Sequence, residues 1–212
     1  MQLELIDLSA TLEDGIVTYP GNKIGLETRR IEIGTKGGQL SRFTLFDPHC
    51  GTHLDAPRHF LSSGKDVSEL PLVILPAAVA DVSGHTFGPE PLSGLGRLRG
   101  RALLVHTGWD AHAGTPAYFR GYPCPTPEAA HWLVEEGIAL LGLDTPSADP
   151  VAASTEYPIH ETILGAGVPI VEGLVGLERL IGRDDLFFVG FPLKIKGLEG
   201  SPIRAAALAI RT

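Results

Sequence analysis

Residues 49–60 read HCGTHLDAPRHF and place three histidines and one aspartate within twelve positions. Imidazole nitrogens and carboxylate oxygens are side-chain ligands for Zn²⁺, Mn²⁺ and Fe²⁺, and residue type alone does not choose among these ions. The chain has only two cysteines, Cys50 and Cys124, and they lack the CxxC spacing of a thiolate site. The stretch therefore indicates a metal site built from nitrogen and oxygen ligands.

The residues between these candidate ligands indicate an extended backbone. His49 and His53 are four residues apart, which on a helix would place both on one face. However, Gly51 weakens a helix, and Pro57 disfavours helical geometry just before it. In an extended segment His53 and Asp55 point to the same side, and a sharp turn at Gly51 would bring His49 round to join them. We therefore expect three ligands to converge from seven residues.

Other interpretations of the stretch compete with a metal site. Burying three imidazoles and a carboxylate with no cation among them would cost several kcal/mol, and an exposed turn of this kind would have no evident purpose. Cys50 and His53 suggest a Cys/His nucleophile, but their side chains face opposite sides of an extended segment. A cupin-type site needs a close His-x-His pair, which is absent here. These alternatives are weaker than the metal site.

Composition narrows the class of protein. A length of 212 residues with 43% hydrophobic residues is enough for one domain with a well-buried core. No run approaches the roughly 20 apolar residues of a membrane span, and the N-terminus does not resemble a secretory signal, so we expect a cytoplasmic protein. The net charge of −8 and the scattered basic residues offer no stripe for nucleic acid. The expected partner is a small molecule, not nucleic acid or a membrane.

The apolar patterns predict a mixed α/β domain. One helix is predicted at 127–136, with Thr126 as N-cap and Gly137 as its end, and a second from Pro158 to about Leu164. Strands are predicted at 3–8, 26–33, 39–47, 72–82, 102–107, 138–144, 168–173, 185–191 and 203–210. Strands and helices alternate in the second half, although these patterns do not give the order of the strands in the sheet.

The motif and four further blocks resemble a known family. HCGTHLDAPRHF matches, position by position, the HxGTHxDxPxHF signature of the metal-dependent cyclase family, which includes bacterial kynurenine formamidases, isatin hydrolases and proteins named as polyketide cyclases. LIDLSATLEDGIVTYPGN resembles the N-terminal strand and Pro-Gly loop of this family. GLDTPSAD, HETILGAGVPIVEGL and FPLKIKGLEGSPIRAAAL resemble its downstream blocks. The resemblance thus covers nearly the whole chain, in the right order.

This resemblance implies a swivelling β/β/α-type fold with a mixed sheet, a single domain over residues 1–212, and a homo-oligomer, a dimer or a tetramer. It also implies one or two divalent metals, Zn²⁺ or Mn²⁺. The implied ligands are His49, His53 and Asp55 for the first metal, and Asp55, His160 and Glu172 for the second. Considered without the family, His160 would be interpreted as a surface residue and Glu172 as a carboxylate at a strand end.

The implied activity is hydrolysis of a C–N bond other than a peptide bond. A divalent ion lowers the pKa of bound water towards about 7, so a hydroxide nucleophile would form at neutral pH. His59 is in excess of the five expected ligands, and we expect it to act as acid/base and to protonate the departing amine. A closed structural metal site in a binding module would have no use for His59, which favours an enzyme.

The substrate is less narrowly defined than the chemistry. An N-formyl aryl amine such as N-formylkynurenine, a step of tryptophan catabolism, is the leading expectation, with an isatin-type lactam or a ring-closing polyketide reaction as alternatives. Tyr19 stands where the formamidase branch tends to have tryptophan, and Asn22 replaces a common acidic residue; both would touch the substrate pocket. We also expect Trp109 to form an aromatic wall or to pack in the core, and the aromatic loop at 118–122 to form a lid.

Overall fold

A nine-stranded mixed sheet forms the framework of the protein. The computed structural model describes residues 2–16, 18–20, 25–72, 74–84, 86–151 and 156–211, and the side chains of Gln2, Leu45 and Arg211 are not described. Its strands are β1 (Gln2–Asp7), β2 (Leu26–Ile33), β3 (Gly38–Phe46), β4 (His53–Asp55), β5 (Ile74–Asp81), β6 (Ala102–His106), β7 (Leu140–Leu143), β8 (Ile170–Glu172), β9 (Leu186–Val189), β10 (Gly200–Pro202) and β11 (Ala206–Arg211). The helices are α1 (Pro127–Glu136) and α2 (Pro158–Gly165).

The strand order is β1-β11-β9-β5-β6-β7-β8-β4-β10. Strands β5, β6, β7 and β8 pair in parallel with one another, and β4 and β10 extend this parallel part by antiparallel pairing. At the other edge β9, β11 and β1 are also antiparallel, so the first and last strands of the chain pair with each other. Strands β2 and β3 form a separate two-stranded hairpin. The prediction of a mixed α/β fold is confirmed.

Strands β6, β7 and β8 are buried on both faces. Side chains on one face, such as Leu103 of β6, pack with Leu133 of α1 and Ile163 of α2 in one apolar cluster. The opposite face carries Leu104, which belongs to a second cluster with Phe188 of β9. Continuous apolar runs are typical of parallel strands covered on both sides. The candidate site lies at the C-terminal ends of β7 and β8.

Both predicted helices are present, but their N-termini differ. Thr126 caps α1 by accepting a hydrogen bond from the Ala129 amide at 3.2 Å, and Gly137 ends this helix with a φ of +73°. Tyr157, the residue before α2, makes no side-chain cap. The amides at the start of α2 instead donate to the carboxylate of Asp149, which lies outside the helix. A helix N-terminus left without any acceptor would lose stability.

The predicted strands are all found, with shifts of a few residues at their ends. The extended conformation expected between His53 and Asp55 is confirmed, because these residues form β4. Strand β10 was missed, since its sequence Gly-Ser-Pro has neither apolar alternation nor high strand propensity. Within the described ranges, no helix is long and apolar enough to cross a membrane.

Candidate metal centre and its cavity

Strand β4 places the central ligands between two neighbouring strands. His53 lies directly opposite Glu172 of β8, and Asp55 lies opposite Gly200 of β10. Side chains of directly opposed residues on antiparallel strands point to the same face and are about 5 Å apart at Cβ. A glutamate that is 119 residues away in sequence therefore becomes a neighbour of His53 through sheet register alone.

A turn at Gly51 brings His49 to the same place. Gly51 has a φ of +64°, a conformation that residues with a Cβ rarely adopt. The turn puts His49 Nδ1 2.8 Å from Asp55 Oδ1. The imidazole also lies against the backbone of β10, because a Cβ on Gly200 would be only 2.6 Å from His49 Cε1. The side chains of His49, His53 and Asp55, the three candidate ligands, therefore converge from seven consecutive residues.

His160 approaches from the first turn of α2. Its Nε2 is 3.2 Å from Glu172 Oε1 and 3.6 Å from Asp55 Oδ2. On the other side of Asp55, His53 Nε2 is 3.6 Å from Oδ1 and 3.4 Å from Glu172 Oε2. The two carboxylates therefore lie among three imidazoles, and Asp55 faces all of them. Apart from the partly exposed His49, every member of this cluster is buried.

Electrostatics in the cluster favour charged carboxylates. Burial alone would raise the pKa of Asp55, but the adjacent His49 and His53 hold it well below its usual range. Burial would lower the pKa of His49, yet the charge of Asp55 raises it to about 9. The pKa of Glu172 is lowered, because His160 and His53 outweigh burial and the like charge of Asp55. Metal ligation requires such deprotonated carboxylates, and an ion would take the place of the imidazole protons.

The cluster fits a divalent ion by its donor set and by its unsatisfied atoms. Among the described residues, both carboxylate oxygens of Asp55 and Nε2 of His49 are buried without a hydrogen-bond partner. His49 Nδ1 and Asp55 Oδ1 are 2.8 Å apart, a distance that suits an ion pair. Buried polar atoms are otherwise nearly always paired. One ligand atom from each of His53, Asp55 and Glu172 lies within 4.8 Å of the others.

His59 lies beside the ligands on a short 3₁₀ turn after β4. Its ring stacks on that of His49 at 4.3 Å between centroids and is 5.8 Å from that of His160. Burial lowers the pKa of His59 and outweighs the charge of Asp55. One ligand atom from each of His49, Asp55 and His59 also lies within 4.8 Å of the others. The geometry thus places His59 within reach of whatever the centre binds.

A cavity of about 280 Å³ opens over the cluster. Its aromatic walls are formed by Tyr19, Phe60, Phe119 and Tyr157, while the ligands and His59 lie at its floor. Tyr19 and Phe119 make an edge contact at 6.1 Å between ring centroids. Apolar walls around a few convergent polar groups are typical of small-molecule sites.

Not every residue expected at the pocket is there. Trp109 lies outside the cavity, and its indole donates a hydrogen bond to the Tyr118 carbonyl at 2.7 Å. Tyr118 and Tyr122, in the loop expected to form a lid, are buried, whereas Phe119 from the same loop lines the cavity. Asn22 falls outside the described residues. Trp109 therefore supports the aromatic loop and does not line the cavity. This position is closer to the core-packing alternative than to an aromatic wall.

Sequence reasoning missed several members of the site. Phe60 follows a motif histidine, and Tyr157 precedes the start of α2. No local sequence pattern marks either residue as part of the cavity wall. Asp149, whose Oδ2 is 2.7 Å from His160 Nδ1, was also missed. An aspartate eleven residues before a candidate ligand carries no spacing signal of its own, because the fold supplies the contact.

The fold and the centre define a class of protein: a mixed α/β protein with a buried His₃-carboxylate₂ cluster under an aromatic cavity. The sequence model of the Cyclase family, described as "Putative cyclase", matches residues 6–150, and the chain belongs to this family. The family assignment expected from the motif is confirmed.

Individual proteins of known structure or function are similar over nearly the full chain. The kynurenine formamidase of Geobacillus thermodenitrificans strain NG80-2 is 34% identical over 208 residues, which is 95% of each protein. Isatin hydrolase A from Ralstonia solanacearum superposes with a TM-score of 0.84 at 27% identity, over 98% of this chain and 92% of that one. An isatin hydrolase bound to the product analogue thioisatinate gives 0.84 at 25% identity, over 99% and 93%.

Proposed function

We propose that this protein is a divalent-metal-dependent hydrolase of a C–N bond in a small aryl amide, with N-formylkynurenine as the leading substrate. The observation that carries the proposal is the position of Asp55, which faces three imidazoles and a second carboxylate at the floor of an aromatic cavity. The similarity to a kynurenine formamidase over 95% of both proteins supports the choice of substrate.

The ligand set divides into two groups that share one residue. His49, His53 and Asp55 would hold a first ion, and Asp55, His160 and Glu172 a second, with Zn²⁺ or Mn²⁺ as the candidates. When bound, a divalent ion supplies a Lewis acid that lowers the pKa of water and polarises a carbonyl oxygen. Nitrogen and oxygen donors without sulfur are compatible with either ion.

His59 is proposed to move the proton that the reaction needs. Its ring is at the cavity floor, and no hydrogen bond or ion pair to its ring nitrogens is found among the described residues. Burial lowers its pKa, so the neutral ring is available to accept a proton during attack by water. The same nitrogen then returns the proton to the departing amine, which is a poor leaving group as an anion.

The aromatic walls would orient the substrate. Tyr19, Phe119 and Tyr157 offer apolar ring faces and edges around a volume suited to one aryl ring with a short chain. An aryl ring between these walls would direct its amide carbonyl towards the cluster. Tyr19 is proposed as a substrate-binding residue on this basis, in place of the tryptophan that the family resemblance suggests.

An isatin-type lactam is the second candidate substrate. Two isatin hydrolases superpose with TM-scores of 0.84, and a lactam presents the same chemical task as a formamide, namely attack on an aryl amide carbonyl. A ring-closing reaction on a polyketide and a non-catalytic metal-containing binding module are the remaining alternatives. Product analysis separates a ring-closing reaction from hydrolysis. An absence of turnover with all substrates would favour the binding module.

We also propose that residues 1–212 form one domain that assembles with further copies of itself into a dimer or tetramer. The outward face of β1, β11, β9 and β5 is apolar: Leu5 lies opposite Leu208, which lies opposite Phe187. Leu5 is 73% exposed and Ile74 55%. Contiguous exposed apolar patches of this kind are unusual on monomers. Sedimentation equilibrium should give a mass of at least two chains, and a monomer would contradict the proposal.

The test of function compares metal-loaded and metal-free protein. Protein reloaded with Zn²⁺ or Mn²⁺ should hydrolyse N-formylkynurenine, and the same protein stripped with chelator should not; readdition of metal should restore turnover. If protein shown to carry metal turns over isatin but not N-formylkynurenine, the lactam assignment replaces the formamide one. If loaded protein hydrolyses neither these nor other aryl amides, the proposed function is wrong.

A further inference from the structure

Asp149 is a buried carboxylate that contacts a candidate ligand without facing the centre itself. Its Oδ2 lies 2.7 Å from His160 Nδ1 and accepts the His160 amide at 3.0 Å, while Oδ1 accepts the Ile159 amide at 3.1 Å. Asp149 is only 1% exposed and His160 only 3%. All three contacts join this one carboxylate to the first turn of α2, ten to eleven residues further along the chain.

The contact determines which nitrogen of His160 carries hydrogen. Both oxygens of Asp149 already accept backbone amides, and the oxygen that accepts the His160 amide also faces Nδ1, so His160 Nδ1 carries hydrogen and donates it to this carboxylate. Nε2, which lies 3.2 Å from Glu172 Oε1 and 3.6 Å from Asp55 Oδ2, is then the nitrogen that a metal ion would meet. An ion that displaces a proton on Nε2 would bind the lone pair there, while Nδ1 keeps its hydrogen.

We propose that Asp149 is a positioning residue that holds His160 in the Nδ1–H tautomer and fixes its ring towards the metal centre. This inference rests on the proposed function, since it assigns Asp149 a role in metal binding. Carboxylates that orient a ligating histidine in this way typically change metal affinity by 10- to 100-fold when they are replaced.

Asp149 also caps the N-terminus of α2. Tyr157 provides no side-chain cap, so the amides of Ile159 and His160 depend on Asp149. The backbone of Asp149 is itself anchored, because the Tyr122 hydroxyl donates to the Asp149 main-chain carbonyl at 2.6 Å. The position of the ligand ring and the start of the helix that carries it are therefore fixed by the same group.

A second ligand of the cluster is oriented on the same principle. His53 Nδ1 is 3.0 Å from the carbonyl oxygen of Gly51, which is also an acceptor only, so Nε2 of His53 is likewise free to face the cluster. Here the acceptor is backbone, and no substitution can remove it. Asp149 is the corresponding acceptor that mutation can test.

The first test replaces Asp149 by asparagine and by alanine. In Asp149→Asn the amide NH₂, placed against Nδ1, would favour the opposite tautomer; in Asp149→Ala both the cap and the acceptor are lost. Asp144→Asn is a matched control, because Asp144 is equally buried and accepts amides from Thr107 and Gly108 but has no contact with His160. Zn²⁺ affinity is measured by competition with a chelating dye.

We expect both Asp149 variants to bind Zn²⁺ about 10- to 100-fold more weakly in the His160 half of the centre, whereas Asp144→Asn keeps wild-type affinity even though it unfolds at a lower temperature. A merely structural role would make the Asp149 and Asp144 variants alike in both measurements. Wild-type affinity in a folded Asp149→Asn protein would overturn the proposal.

A second measurement needs no variant. Long-range ¹H–¹⁵N NMR of the metal-free wild-type protein, with His160 assigned by its loss in His160→Gln, should show Nδ1 protonated. A ring protonated only at Nε2 would overturn the inference. If the wild type shows the expected tautomer but binds no divalent ion, the proposed function fails and the role of Asp149 in metal binding fails with it. If the wild type binds metal and Asp149→Asn binds it equally well, the proposed function stands and only the role of Asp149 is wrong.

Discussion

The two halves of the candidate centre are built in different ways. His49, His53 and Asp55 come from seven consecutive residues, and their convergence needs only a short strand and one turn at Gly51. His160 and Glu172 come from a helix and a strand more than a hundred residues later in the chain. They reach Asp55 only because the whole sheet places β8 beside β4.

This difference shows what each half requires of the rest of the molecule. The local half is determined by backbone conformation, so its geometry should survive small changes in the core. The remote half depends on strand register, since a shift of one residue between β4 and β8 would turn Glu172 to the other face. Asp55 faces both halves, and substitutions around it separate their contributions.

The largest effect is expected from replacing the shared residue. Asp55→Asn removes the charge that both halves use, and we expect kcat/KM to fall by at least roughly 10³-fold, with loss of all bound metal. Glu172→Gln should lose activity to a similar degree but keep metal in the local half. Metal content by atomic emission, together with hydrolysis of N-formylkynurenine, measures both. Asp66→Asn, a buried aspartate that caps the 3₁₀ turn at 67–69 and does not line the cavity, is the control. Full metal occupancy in Asp55→Asn would show that Asp55 does not join the two halves.

The same division explains how much was predictable from the sequence. Spacing within residues 49–60 predicts His49, His53 and Asp55 as candidate ligands and predicts the extended backbone that is found, because side chains within one strand and turn are placed by local geometry. The roles of His160 and Glu172 came only from resemblance to the family, since sheet order decides which distant residues meet. Phe60, Tyr157 and Asp149 were missed for the same reason. Trp109 was expected either to form an aromatic wall or to pack in the core, because a strand-end tryptophan can face a pocket or the core, and tertiary packing chooses between them.

The second prediction asks whether His59 belongs to the local half as a ligand or acts on the substrate. His59→Ala should lower kcat by roughly 10²-fold or more while metal content stays at the wild-type level, because general acid–base catalysis is lost. His112→Ala, at an exposed position outside the cavity, should leave both unchanged. Near wild-type kcat with metal still bound would exclude His59 as the acid/base. Loss of one metal equivalent would instead make it a ligand, which its position near His49 and Asp55 also permits.

A smaller effect is expected from closing the space behind His49. Gly200→Ala would place a Cβ 2.6 Å from His49 Cε1, so the ring must shift away from β10. We expect metal affinity of the local half to fall by about tenfold, as for the loss of a group that orients a ligand, with the remote half unaffected. Gly165→Ala, where a Cβ meets nothing within 4 Å, is the matched control. Equal weakening of both halves would mean that they are not separable in the way the geometry indicates.

The smallest effect should come from Cys50, which lies inside the ligand stretch but outside its chemistry. Burial raises the pKa of this thiol to about 11, and the side chain is 1% exposed, so almost no thiolate is present at neutral pH. A nucleophilic cysteine needs the opposite, a lowered pKa and access to substrate. Cys50→Ala should therefore keep kcat/KM within about twofold of the wild type, at a cost of about 1 kcal/mol in the free energy of unfolding from lost packing. A loss of activity comparable to that of His59→Ala, in protein that still binds metal, would revive the Cys/His nucleophile. If activity is retained, water remains the nucleophile. Within residues 49–60, the chemistry then belongs to the histidines and Asp55 alone.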